Sequence, residues 1–290
     1  MTIVSSRRAI SGRTLVAGVA GSPVAHSLSP TLHNAWIRAT ALDAVYVAFR
    51  PAVDGFTPFA ESLRGGVIRG LNVTAPFKHD ALALADAVSG RARRAGSANL
   101  LVFENDGTIR ADNTDGVGLL YAFQNQAPDF APASAPVVIL GAGGAARGAV
   151  AAFLDEGASE IRIVNRDPTR AARLAEVFGP SVKPLPPDDL AAVLADAGAV
   201  VNATPQGLAG DTPPAVPFHL AHRDCVVMDM IYNPLRTAFL AAAATAGLRT
   251  VDGLAMLIGQ AIPSFDAFFG CMPSEIDVRT LALEQLRDVA

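Results

Sequence analysis

Ser27 and Ser29 stand two residues apart, directly before Pro30 and a helical run over residues 31–41. A serine followed by proline is an ordinary way to start a helix, and that alone accounts for Ser29. It does not account for Ser27. Two hydroxyls beside a helix N-terminus can hold a carboxylate without a counter-charge. Lys78 follows Ala75-Pro76-Phe77 and opens a helix predicted over residues 79–87. A cation there opposes the helix dipole, where a purely structural sequence would carry Asp or Glu. Its ammonium can instead donate a proton or stabilise a growing negative charge. Asp115 closes the polar run Asn113-Thr114-Asp115 before Gly116 and a helix over residues 117–124. It reads equally as a cap and as a functional carboxylate.

A different chemistry is written in Val137-Val138-Ile139-Leu140, followed at once by Gly141-Ala142-Gly143-Gly144-Ala145 and a helical run over residues 145–154. That is strand, tight turn, helix. The turn lets a phosphate approach the backbone, and the helix N-terminus offers it free N–H groups. The pattern G-x-G-G-x-x-x-G is weak alone, but a second strand over residues 160–164 ends at Asn165-Arg166, where a dinucleotide fold reads the ribose. NAD binders place Asp or Glu in that slot. Asn165 followed by Arg166 suits the 2′-phosphate of NADP. Asp167 lies past the slot and can cap the helix that begins near Pro168.

These residues need elements to hold them. Strands are predicted at 14–20, 44–49, 70–74 and 97–103, with helices at 31–41 and 53–63 and a hairpin turn at Asp106-Gly107. After the glycine turn, strands at 160–164, 199–202 and 225–232 alternate with helices at 169–178, 190–195 and 239–247, and residues 183–189 read as a loop. This order predicts an α/β protein with a doubly wound parallel sheet. Ligands bind such sheets beyond the strand carboxyl ends, which puts Gly141, Asn165, Thr204 and Met230 on one rim. Two further helices are predicted at 254–268 and 275–289.

The whole chain narrows the classes. It has 290 residues, 51% of them hydrophobic and 17% charged, enough for one large or two smaller buried cores and incompatible with a disordered chain. A net charge of −4 without a basic cluster argues against nucleic acid or an anionic membrane as partner. Cys225 and Cys271 form neither a disulfide framework nor a metal pattern and suit a reducing, cytoplasmic setting. The five histidines show no metal-binding pair, so no metal is expected. Residues 1–8 contain no apolar signal segment, and the alanine-rich stretch 239–248 is too short to span a bilayer.

Several motifs recur in a set order: Ser27-Leu28-Ser29-Pro30 with His33-Asn34, Asn72 to Lys78, Asn113-Thr114-Asp115-Gly116, Gly141 to Ala145, Asn202-Ala203-Thr204-Pro205, Asp229 to Pro234 and Asp252 to Gln260. With them the chain resembles the shikimate dehydrogenases over nearly its whole length. The resemblance implies reduction of 3-dehydroshikimate to shikimate by NADPH, on the route to chorismate and the aromatic amino acids. It implies that Lys78 and Asp115 form the catalytic acid–base pair. Ser27 and Ser29 would hold the substrate carboxylate with Tyr232 near it, and Thr74, Asn99, Asp115 and Gln260 the ring hydroxyls. Gly141, Ala142, Gly143, Gly144 and Ala145 would take the pyrophosphate, Asn165, Arg166, Asp167 and Arg170 the adenosine end, with Thr204 on the same rim, and Met230 and Gly253 would border the nicotinamide. Three departures stand out: Ala98-Asn99-Leu100 where the family commonly has Val-Asn-Thr, Ala255 where glycine is frequent, and Asn165-Arg166-Asp167 where it often has Asn-Arg-Thr. The expected layout is a substrate domain over residues 1–116, joined by residues 252–290, and a Rossmann dinucleotide domain over residues 117–251. A homodimer and a monomer both fit. A quinate or aminoshikimate dehydrogenase of the same family is the alternative. A non-catalytic NADP(H) sensor fits less well because Lys78 and Asp115 are both present.

Overall fold

The computed structural model describes residues 10–207 and 211–288. The expectation for residues 1–8, and position 289 of the last predicted helix, lie outside them. The chain forms two compact units. One contains the described residues up to Val88, then Ala98–Asp112 and Ile262–Ala282. The other contains Ser89–Ser97, Asn113–Ala261 and the residues from Leu283 onward.

The first unit is built on strands β1 (Leu15–Ala20), β2 (Ala44–Phe49), β3 (Ile68–Val73), β4 (Ala87–Val88), β5 (Leu100–Phe103) and β6 (Ile109–Asp112) in the order β2-β1-β3-β5-β6-β4. β1 runs parallel to β2 and β3, while β5 is antiparallel to both β3 and β6. The Asp106-Gly107 turn joins β5 to β6 as predicted, with Gly107 in the left-handed region. Helices α1 (Ser29–Ala39), α2 (Phe56–Glu61) and α3 (Lys78–Leu84) connect the strands. Leu71, Val73, Phe77, Leu101 and Ile109 pack with Phe56 in one core.

The second unit carries an all-parallel sheet of β7 (Val137–Leu140), β8 (Ile161–Val164), β9 (Val182–Leu185), β10 (Ala199–Asn202), β11 (Val226–Asp229) and β12 (Arg249–Val251), in the order β12-β11-β10-β7-β8-β9. Its central strands are largely apolar because both faces are covered. The helices are α4 (Gly90–Ala95), α5 (Asp115–Gln126), α6 (Gly144–Asp155), α7 (Pro168–Phe178), α8 (Leu190–Val193) and α9 (Ala238–Thr245). Helix α10 (Gly253–Phe269) contributes residues up to Ala261 to this unit and the rest to the other, and α11 (Val278–Asp288) follows. The α/β class and the doubly wound sheet are as the sequence predicts.

Some elements differ. The predicted helix 53–63 contracts to α2, and 79–87 to α3 followed by the short β4. Residues 183–189, predicted as a loop, begin with β9. This strand contains Pro184 and lies at the sheet edge, the place in a sheet where a missing N–H is tolerated. Among the described residues no helix is long and apolar enough to cross a membrane.

Candidate active site

In the first unit, one end of the sheet collects five of the expected site residues. Gly21 N–H donates to Phe49 O at 3.2 Å and Thr74 N–H to Ala20 O at 2.9 Å, so the loops leaving β1 and β3 emerge side by side. The β1 loop carries Ser27 and Ser29, and the β3 loop carries Thr74 and then Lys78. Val73 N–H donates to Asn99 O at 2.8 Å, and Ala98 N–H to Lys78 O at 2.9 Å. Because β5 is antiparallel to β3, its beginning, with Asn99, lies at this same end.

The helix-cap account of Ser29 does not hold. Ser29 is the first residue of α1, and the preceding Leu28 occupies the cap position without a side-chain capping bond. Ser27 takes part of that role, its Oγ accepting from Ser29 N–H at 3.3 Å. The Ser29 hydroxyl instead hydrogen-bonds the buried Tyr46 hydroxyl, which burial holds well above its ordinary pKa. Tyr46 Oη in turn donates to Asn72 Oδ1 at 2.8 Å. Asn72 Nδ2 donates to Ser264 Oγ at 2.8 Å and to Asn99 O at 3.3 Å, which fixes the orientation of the amide. Lys78 opens α3 as predicted, with Asp80 the only acidic residue in that first turn.

In the second unit, Asp115 is the first residue of α5 and does not cap it. Asn113 Oδ1 accepts from Asp115 N–H at 3.0 Å, and the Thr114 hydroxyl donates to Gln260 O at 3.0 Å. Asp115 and Gln260 therefore lie on neighbouring helices, α5 and α10. Gly253 and Met230 also meet. A Cβ on Gly253 would stand 2.5 Å from Met230 O and 2.6 Å from Ile231 O, so only glycine admits this approach. Tyr232 follows on the same loop after β11.

The expected rim is present. Gly141, Asn165, Ala203 and Met230 directly follow β7, β8, β10 and β11, and Thr204 comes one residue later. Gly141 N–H donates to Val164 O at 2.8 Å, Ala203 N–H to Leu140 O at 3.0 Å and Met230 N–H to Asn202 O at 3.1 Å. Gly141 adopts φ +107°, a backbone that L side chains rarely take. No side chain caps α6, and open space surrounds Gly143 and Gly144 where side chains would stand. A cleft of about 460 Å³ opens here, lined by Gly141, Gly143, Asn165, Arg166, Arg170 and Thr204. Asp167 caps α7, accepting from Thr169 N–H at 3.0 Å, and lies 3.5 Å from Arg170 as an exposed ion pair. Such a pair contributes about 0–1 kcal/mol, too little to keep Arg170 from an arriving phosphate.

Two contributors lie outside the motifs, and a third, Asp229, opens one of them without a role assigned to it. Pro187 and Leu190 give the cleft an apolar side, and they lie in a stretch with no phosphate signature. Asp229, fully buried, accepts from Asn202 Nδ2 at 3.0 Å, Ile231 N–H at 3.1 Å and Thr237 Oγ1 at 2.7 Å. Burial pushes its carboxyl up and the three donors oppose that. It ties the loop of Met230 and Tyr232 to that of Thr204, whose hydroxyl donates to Asn202 Oδ1 at 2.7 Å.

The chain has close relatives. Residues 19–101 match the shikimate dehydrogenase substrate binding domain, and residues 124–209 match the shikimate / quinate 5-dehydrogenase family. A shikimate dehydrogenase (NADP(+)) of Caulobacter vibrioides is 57% identical over 97% of this chain and 99% of its own length. One from Cereibacter sphaeroides is 45% identical over 93% and 96%. Among solved structures, shikimate 5-dehydrogenase of Thermus thermophilus, in complex with NADP(H) and shikimate, superposes with a TM-score of 0.82 at 33% identity, covering 95% of this chain and all of that one. Quinate dehydrogenase of Corynebacterium glutamicum in complex with NAD gives a TM-score of 0.84 at 28% identity, covering 94% and 99%.

Proposed function

The chain belongs to the shikimate dehydrogenase family, and on that premise we propose that it interconverts 3-dehydroshikimate and shikimate with NADP(H), using Lys78 and Asp115 as its acid–base groups. The enzyme is an NADP-dependent oxidoreductase acting on a CH–OH group. It serves chorismate and aromatic amino acid formation in the cytoplasm. The assignment of residues is supported above all by the gathering of Ser27, Ser29, Thr74, Lys78 and Asn99 at one end of one sheet.

The residues of the second unit fit NADP. Uncapped N–H groups at α6, open space at Gly143 and Gly144, and two guanidiniums in the same cleft match a pyrophosphate and a 2′-phosphate. The reduced nicotinamide supplies the hydride when bound. The chain does the rest. Ser27 donates its hydroxyl proton to the substrate carboxylate, and Ser29 does so by turning its hydroxyl from Tyr46 to the incoming carboxylate, with Tyr232 near it. Thr74, Asn99 and Gln260 hold the ring hydroxyls and fix the ketone carbon for attack. As the carbonyl π pair moves onto oxygen, the Lys78 ammonium gives that oxygen its proton and becomes an amine. Asp115 accepts from a ring hydroxyl beside the reacting carbon. In the oxidative direction Lys78 takes the proton back. Substrate binding falls chiefly to the first unit and cofactor binding to the second, which also supplies Asp115, Tyr232 and Gln260.

Reduced-nicotinamide absorbance on mixing the protein with shikimate or quinate, each with NADP⁺ or NAD⁺, tests the proposal. Signal with shikimate and NADP⁺ is expected. Preference for quinate or NAD⁺ moves the protein to the activity of its quinate-oxidising relatives, and silence in all four mixtures overturns catalysis.

A further inference from the structure

We propose that Thr114 is a positioning residue that sets Asp115 and Gln260 at a fixed separation, so that both engage the ring hydroxyls of one substrate molecule. The inference rests on the substrate roles proposed above for those two residues. Three neighbouring side chains divide the work. A threonine before a helix ordinarily turns its hydroxyl oxygen to the helix N–H groups. Thr114 does not, although it occupies the cap position of α5 and is fully buried. Asn113 caps in its place, taking Asp115 N–H on Oδ1 at 3.0 Å, while its Nδ2 donates to Ser97 O at 3.0 Å and Ser97 Oγ at 3.2 Å. The Thr114 hydroxyl is thereby released to donate to Gln260 O at 3.0 Å. One turn further along α5, Gly118 fixes the same pair of helices. A Cβ there would collide with Met256 O and come within 2.9 Å of Gln260 N. The spacing of α5 and α10 is thus set twice, and the Thr114 bond ties the backbone of Gln260 to the residue directly before Asp115. A buried hydrogen bond there resists sliding of one helix past the other, which apolar contact alone tolerates.

The test compares Thr114→Val, which keeps shape and removes the hydroxyl, with Thr114→Ser, which keeps the hydroxyl, and with Gln260→Ala alone and combined with Thr114→Val. Steady-state shikimate oxidation gives KM for shikimate and for NADP⁺, neither of which depends on the fraction of protein that folds. We expect Thr114→Val to raise KM for shikimate about 5- to 10-fold, the equivalent of one net hydrogen bond. KM for NADP⁺ should not move, Thr114→Ser should restore the parent value, and Thr114→Val should add less than about twofold in the Gln260→Ala background. If Thr114→Val is insoluble, Thr114→Ala must give the same pattern. An unchanged shikimate KM, equal losses for both ligands, failure of serine to rescue, or full additivity with Gln260→Ala each overturns the proposal. If Gln260→Ala and Asp115→Asn themselves leave shikimate KM unchanged, the substrate roles fail, and the proposal falls with them on separate evidence.

Discussion

His33 makes the first unit sensitive to acid. The side chain is fully buried, and neither ring nitrogen has a hydrogen-bond partner among the described residues. Its ring stacks on Tyr46 at 4.1 Å and 7°, meets the edge of Trp36 at 5.6 Å and lies near Phe265 and Phe268. An imidazolium in that aromatic cage has lost its water and gained no acceptor, and burial pushes the pKa from 6.5 to about 3. The unfolded chain takes up the proton below about pH 6.5, while the folded chain refuses it until about pH 3. Stability is therefore fully present above pH 7 and is lost as the pH falls through that window, by about 1.4 kcal/mol per pH unit. Between pH 7.5 and pH 5 the loss is about 2 kcal/mol, a large share of a typical net stability of roughly 5–15 kcal/mol. The chain has one tryptophan, Trp36, and it touches His33, so its fluorescence reports this unit without contribution from the other. Urea unfolding followed by that signal at pH 7.5 and pH 5 should show the parent losing about 2 kcal/mol more than His33→Phe, which keeps the ring and cannot titrate. Any constant change from repacking cancels in the difference. Parallel loss in the two proteins would falsify the argument.

Three further outcomes follow from the site. Lys78→Ala should lower kcat by roughly 10²- to 10⁴-fold, the usual loss for a positioned acid–base group, and near-normal turnover would remove Lys78 from the chemistry. Ser29→Ala should raise KM for shikimate by about tenfold or more, since a donor to a charged acceptor is lost; stability should fall by about 1 kcal/mol, because the buried bond to Tyr46 goes too, and a drop in melting temperature at constant KM would leave Ser29 with the structural role alone. Arg166→Ala should raise KM for NADP⁺ by about tenfold or more and leave NAD⁺ alone, whereas equal losses with both cofactors would mean that Arg166 does not read the 2′-phosphate.

The second unit was the more legible in sequence because a parallel strand buried on both faces is a continuous apolar run, and its turns fall where the run stops. The rim of Gly141, Asn165, Thr204 and Met230 follows from that rule alone. The strand β9 did not show itself, since Pro184 argues against any strand unless it is known to lie at an edge. Helix α4, with sequence Gly90 to Ala95, and strand β12 are too short for periodicity to reveal. At the site, residue type pointed to Lys78 because its charge opposes the helix it begins. The support of Ser29 by Tyr46 and Asn72 had no such sign. Tyr46 sits in an alternating strand and reads as core, and its hydroxyl acquires a role only when β2 and β3 flank β1.

The misassigned caps have a common cause. At α1 the residue expected to cap is itself the first helical residue, and Ser27 serves its N–H. At α5 Asn113 does the same for Asp115. At α6 no side chain caps at all. By contrast α4 and α9 are capped by the residues immediately before them, Ser89 and Thr237. A side-chain cap satisfies an N–H that would otherwise face outward. At a helix end that receives an anion, the role proposed for α6, such a cap would compete with the ligand for the same donor. Where the first helical residue must present its own side chain, the cap has to come from upstream. Sequence rules assign the cap from spacing to the first apolar turn, so they favour the nearest Ser, Thr or Asp. In this protein those nearest residues, Ser29 and Asp115, are themselves the first helical residues, and Ser27 and Asn113 upstream accept their N–H groups.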